Sequence, residues 1–113
     1  MKYMALRQAI ISEKDWLRQI NRTKNINHLR ALIAGATPQQ IRCLQCIVLA
    51  IMDNDIPIDQ RSFKKIKNSR KYSFIQKYFA ASSKTLGALE EARKLILKIV
   101  TVIRLFTANI TAP

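Results

Sequence analysis

Between Ile41 and Met52 the chain reads IRCLQCIVLAIM, with Ile41, Leu44, Val48 and Ile51 recurring at helical spacing. Cys43, Cys46, Ile47, Leu49 and Ala50 widen that stripe around the cylinder. A helix apolar on most sides has to be buried on most sides, so this segment is expected at the centre of the fold. Its start is written in side chains. Thr37 can cap with its hydroxyl, Pro38 suits a position where a missing N–H costs nothing, and Gln40 can close a T-x-x-Q capping box. Asp53-Asn54-Asp55 stops the helix, with Asn54 the expected left-handed residue, and Pro57 blocks continuation.

The same reading gives the neighbours. Leu6 to Asn21 forms one amphipathic helix or two broken at Ser12, where Ser12 and Asp15 resemble a capping box and Trp16, Leu17 and Ile20 share a face. Asn25 or Asn27 caps a short helix bearing Leu29, Leu32 and Ile33, stopped by Gly35 and docked on the central helix. Asp59 caps a run from Gln60 that turns Phe63 and Ile66 inward and Lys64, Lys65 and Lys67 outward. Asn68-Ser69 interrupts it, a helix from Arg70 follows with Tyr72, Phe74, Ile75, Tyr78 and Phe79, and Ala81-Ser82-Ser83 links to the next.

A last helix is expected to start near Thr85, with Glu90 and Glu91 at its positive end. Leu89, Ala92, Ile96, Ile99, Ile103 and Phe106 form its seam, widened by Leu95, Leu97, Val100, Val102 and Leu105. The β-branched residues within Leu95 to Phe106 also suit a strand, but the lead-in from Glu90 and the lack of a partner strand favour the helix. Asn109 to Pro113 reads as an irregular tail. The expected fold is all-α: a bundle of four to six helices around a buried central helix, about 38–52, with a long C-terminal helix, about 85–108. Residues 1–113 make a single helical domain, and residues 1–11 are either part of it or an N-terminal arm, extended or ordered by a partner.

A length of 113 residues accommodates one core. Charge changes the picture more. Twenty Lys and Arg against seven Asp and Glu give a formal charge of +13, which attracts polyanions: nucleic acid, an acidic membrane surface or an acidic protein. Residues 60–89 contain no carboxylate, while Arg61, Lys64, Lys65, Lys67, Arg70, Lys71, Lys77 and Lys84 are all basic. These eight are the candidate contacts for nucleic acid or an acidic partner. The aromatics among them could stack bases, but Phe63, Phe74, Tyr78 and Phe79 fill the apolar positions these short helices need and are read as core. A helix-turn-helix over Gln60 to Ala80 lacks a Gly turn and a base-reading cluster, so backbone contact without sequence preference is the better reading.

No catalytic, cofactor or metal site emerges. Cys43 and Cys46 lie three apart inside a helix without a second ligand pair, and His28 is the only histidine. The cysteines are read as buried thiols of a reducing compartment and His28 as structural or exposed. Asp53, Asp55 and Asp59 lack the Gly and Glu of a calcium loop and read as caps and turns. MKYMALRQAIISEKDW has no secretory cleavage pattern, and no run is long enough for a transmembrane helix. The C-terminal apolar helix, with Lys98 and Arg104 in LILKIVTVIRLF, is read as core or self-association surface ahead of a membrane-active element.

The segment ATPQQIRCLQCIVLAIMDNDIPI, followed by the spaced basic run and RKYSFIQKYFA, resembles short basic proteins of adintoviruses and related polinton-like DNA viruses. Their pattern is a short leucine-rich helix, A-[ST]-x-x-x-[IL]-x-x-L, an apolar helix, an Asn or Gly turn, I-P-[IL], and a basic stretch ending in paired aromatic or aliphatic positions. It corresponds here to Leu29 to Ile33, Ala36-Thr37, Ile41, Leu44, Asn54, Ile56-Pro57-Ile58 and Arg61 to Phe79. The chain departs from it at Gln45, at Met52-Asp53 and over Leu86 to Lys94, where those proteins carry a lysine block and a double glycine. The resemblance implies a non-enzymatic virion protein, lying with the genome or under the capsid as a minor component.

Charge and resemblance together give the expectation of a small basic structural protein inside a virion. It would occupy the nucleus or cytoplasm of the host and bind nucleic acid backbone or an acidic capsid surface, with no small-molecule substrate. A cellular helical nucleic-acid-binding or regulatory module is the first alternative, and a membrane-active helical protein the second.

Overall fold

A computed structural model describes residues 4–53, 57–77 and 88–111. Among them are eight helices and no strand: α1 (Met4–Ser12), α2 (Lys14–Arg22), α3 (Ile26–Ala34), α4 (Pro38–Met52), α5 (Gln60–Lys67), α6 (Tyr72–Ile75), α7 (Leu89–Lys98) and α8 (Ile103–Thr111). The all-α class and the central helix are as the sequence predicts. The helix count exceeds the expected four to six, because two segments that could have been continuous are divided.

The central helix α4 occupies the predicted residues. The Thr37 hydroxyl accepts from the Gln40 N–H at 3.2 Å, and Gln40 Oε1 accepts from the Thr37 N–H at 2.9 Å, completing the capping box ahead of Pro38. Ile41, Cys43, Leu44, Ile47, Val48, Leu49, Ala50 and Ile51 are all buried and Cys46 half-buried. The departure at Gln45 is also buried, its Oε1 accepting from Arg42 Nη1 at 2.9 Å. A carbonyl in the core is tolerable when it has such a donor. Asp53 ends the helix, and Asn54 lies outside the described residues.

α1 packs on α4 and α2 and buries Leu6, so of residues 1–11 those from Met4 onward are helix, with Met1–Tyr3 outside the described residues. The break between α1 and α2 falls at Glu13. Ser12 ends α1, and no side chain caps α2, so the expected Ser12–Asp15 box does not form. Trp16, Leu17 and Ile20 do form the buried face of α2. In α3, Asn25 Oδ1 accepts from the N–H groups of Asn27 at 2.8 Å and His28 at 3.2 Å. Gly35 ends it with φ of −93°, a stop that uses no left-handed backbone.

The C-terminal segment corrects the expectation of one long helix over 85–108. Ala88 is extended, so the helix starts at Leu89 rather than near Thr85, which lies outside the described residues. Glu90 and Glu91 occupy its first turn as predicted. It ends after Lys98, where Ile99-Val100-Thr101-Val102-Ile103 places five β-branched side chains in succession. Each restricts χ1 against the preceding turn, and the backbone tightens to three-residue bonds: Ile99 N–H to Ile96 O at 3.1 Å and Val102 N–H to Ile99 O at 3.0 Å. The turn redirects the chain, so α7 packs on α3 and α4 while α8 packs on α2, α4 and α5. Helix then continues to Thr111, which replaces the expected irregular tail from Asn109.

Ala92, Ile96, Ile99, Val100, Val102, Ile103 and Phe106 are buried within the chain, and Leu89, Leu95, Leu97 and Leu105 are packed half-buried against them. Ile11, at 62% exposure, is the one exposed large hydrophobic residue among those described. The C-terminal seam is therefore covered by the protein's own helices. Among the described residues no helix is long and apolar enough to cross a membrane.

Candidate nucleic-acid interface

The basic run lies on α5 and on the residues either side of α6, which itself carries no charge. Asp59 starts α5 by accepting from the Ser62 N–H at 2.8 Å on one oxygen and from the Ser62 hydroxyl at 2.9 Å on the other. Ile66 is fully buried and Phe63 half-buried, which anchors α5 on α8 and turns the opposite side to solvent. Arg61, Lys64 and Lys65, spaced i, i+3 and i+4, share that outer face and are exposed. Lys64, Lys65 and Lys67 lie in the last turn, where the helix dipole favours cations.

The Ser69 hydroxyl donates to Ile66 O at 2.8 Å and closes the end of α5, so the interruption read at Asn68-Ser69 is a hydrogen-bonded turn. Arg70 follows exposed and Lys71 half-buried at the start of α6. α6 buries Ile75 and half-buries Tyr72 and Phe74, and the backbone stays helical through Gln76 and Lys77, the last described residues of this segment. Lys77 is exposed just beyond it, while Tyr78, Phe79 and Lys84 lie outside the described residues.

Seven of the eight predicted contact residues are thus described, six of them exposed. Among the described residues, Arg61, Lys64, Lys65, Lys67, Arg70 and Lys71 enter no ion pair, so their charge is available to a ligand. Charge is not confined to this face: Arg7, Lys14, Arg22, Lys24, Arg30 and Lys94 are exposed on other helices. What distinguishes residues 61–77 is density, seven cations in one stretch without a carboxylate. Four of the seven acids stand at helix N-termini, Asp15 in α2, Asp59 at α5, and Glu90 and Glu91 in α7. There they offset helix dipoles and local orphan N–H groups.

Two arginines do internal work that sequence reasoning did not assign. Arg93 Nη1 donates to the carbonyls of Ile33, Ala34 and Ala36 at 3.2, 3.0 and 2.9 Å, tying α7 to the C-terminal end of α3. Arg104 Nη1 donates to Thr23 O at 3.1 Å, at the end of α2. Their partners lie far away in sequence, and no local pattern separates them from solvent-facing arginines. Lys98 was also missed as a surface cation. Its Nζ stands 5.6 Å from the Phe74 centroid, over the ring, which brings the end of α7 beside α6 and adds its charge to the basic face.

Cys43 is buried and Cys46 half-buried, both as free thiols. Burial pushes the Cys43 thiol up to about 12, with Glu13 and then Cys46 adding to the shift. The Cys46 thiol is also raised by burial, against a lowering pull from Arg42. Thiols held protonated this way are poor nucleophiles and poor ligands. His28 is exposed, and no cluster of His, Cys, Asp and Glu among the described residues could hold a metal ion. Comparison with protein-family models, curated proteins and solved structures finds no match to this chain, so the site is read from its own residues.

Proposed function

We propose that this chain is a small non-enzymatic structural protein, a minor component of a virion interior, whose α5–α6 face binds the backbone of nucleic acid without sequence preference. One observation carries the reading: Arg61, Lys64, Lys65, Lys67 and Arg70 are concentrated on and just after α5, are exposed, and enter no ion pair with the protein's own described carboxylates. Contacts from Lys and Arg to phosphate oxygens supply affinity and position without carrying sequence information. The resemblance to adintovirus and polinton-like virus proteins supplies the virion setting, and the charge is consistent with it. The membrane-active alternative draws no support from the C-terminal seam, whose described apolar residues are buried or half-buried against the protein's own helices.

Binding should fall steeply with salt and vary little with base sequence. Anisotropy titrations of the full chain against unrelated DNA sequences over a salt series test this. Failure to bind any nucleic acid at low salt refutes the nucleic-acid part and directs attention to acidic proteins of a shell. Stoichiometric co-purification with a particle tests the virion part, and its absence from particles refutes it.

A further inference from the structure

We infer that the basic face, extended by Lys98, is built to receive the phosphates of a double-stranded nucleic acid and not to hold a single strand; this rests on the nucleic-acid reading above and narrows it to one ligand class. Proteins that hold single strands without sequence preference combine a positive groove with aromatic rings on which bases stack. The described aromatics of this face have no such freedom. Phe63 is half-buried against the core, with Lys67 Nζ 4.8 Å from its centroid and over the ring. Phe74 is likewise half-buried, and Lys98 Nζ lies over it. Tyr72 packs against the same core, and its hydroxyl accepts from Gln76 Nε2 at 3.2 Å. Each ring is already engaged by the protein.

The same pairs have a second consequence. A lysine whose ammonium rests over a ring has fewer orientations to lose when it meets a phosphate. Charges fixed in this way suit an array of phosphates that is itself fixed, which a duplex offers and a flexible strand does not. The shape agrees: Arg61, Lys64 and Lys65 stand on the outer side of a surface helix about 12 Å long, a convex ridge where a strand-holding site would be concave.

The test uses the full chain, a short DNA duplex, each of its separated strands, and an oligothymidine of equal length, titrated over a salt series. The duplex should bind roughly tenfold more tightly than any strand at moderate salt, with a steeper slope of log K against log salt. Lys98→Gln should reduce that slope by about 0.9, the value for one lost phosphate contact. Arg7→Gln, which removes the same charge from α1, should leave the slope unchanged. Phe74→Leu should lower strand affinity no more than duplex affinity. A strand bound as tightly as the duplex, a selective loss of strand binding in Phe74→Leu, or equal slope changes for Lys98→Gln and Arg7→Gln would overturn the inference while leaving polyanion binding intact. No binding to any of these ligands at low salt would overturn the parent reading as well.

Discussion

Replacing Arg93 by Met tests whether a cation in this strongly basic protein belongs to the fold or to the surface charge. The methionine keeps most of the hydrocarbon stem and removes the guanidinium. One nitrogen, Nη1, reaches three carbonyls at 2.9–3.2 Å. It carries two hydrogens, so the three contacts amount to about two full bonds. A charged donor is worth about 1.5–3 kcal/mol per bond, but Ala34 is exposed and water can take over at its carbonyl. The Ile33 and Ala36 carbonyls are the ones left under-satisfied. Lost favourable interaction with the C-terminal end of α3 adds about 0.3–1 kcal/mol. The Glu90 pair, 3.6 Å away, adds little because Glu90 is 74% exposed. Arg93→Met is therefore expected to destabilise by about 2.5 kcal/mol, near 10 °C in Tm for a chain of this size. Urea unfolding followed by far-ultraviolet circular dichroism measures this directly. Arg93→Lys should recover about half, since it keeps the charge and loses the fixed fork. Lys94→Gln, one residue along and exposed, should change stability by less than about 0.5 kcal/mol. A loss below about 0.5 kcal/mol in Arg93→Met, or one matched by Lys94→Gln, would refute the assignment.

Three further expectations concern the fold. The Cys43 thiol keeps its proton up to about pH 12 when folded but ionises near pH 9.0 when unfolded, so stability is lost as pH rises above 9.0. Wild type should lose about 1 kcal/mol relative to Cys43→Val between pH 9.0 and pH 10, and parallel pH profiles in urea unfolding would contradict it. The buried Thr107 hydroxyl donates to Asn21 Oδ1 at 2.6 Å between α8 and α2, so Thr107→Val should cost about 1–2 kcal/mol, whereas a neutral thermal melt would show that the bond contributes nothing net. At Gly35, φ is −93° and an added Cβ would meet only the Ala31 carbonyl at ordinary contact, 3.5 Å, so Gly35→Ala should stabilise by about 0.4–1 kcal/mol. A lowered Tm there would mean that the stop requires glycine.

What could be read in the sequence was what local chemistry determines. Thr37, Pro38 and Gln40 sit in one turn, and Asn25 and Asp59 cap residues two or three positions away, so both helix starts and buried faces followed from short spacing. The C-terminal segment was harder because its hydrophobic period continues through Ile99 to Ile103. The β-branched run suits a helix poorly and finds no partner strand, and its effect is a turn between two helices, an outcome intermediate between the two. The basic face was legible as a run of charge. Its composition was less so: Lys98 joins through a ring 24 positions earlier, and Arg93 and Arg104 leave the pool of surface cations through carbonyls that only the fold brings near.

The most direct test of the central claim compares wild type with the triple variant Arg61→Gln, Lys64→Gln, Lys65→Gln, all on the outer face of α5, in duplex DNA binding across a salt series. The variant should fold with unchanged stability to within about 1 kcal/mol, and its slope of log K against log salt should be shallower by about 2.7, three phosphate contacts at about 0.9 each. A slope unchanged from wild type, or matched by a triple variant at Arg7, Lys14 and Arg30, would contradict a binding role for this face.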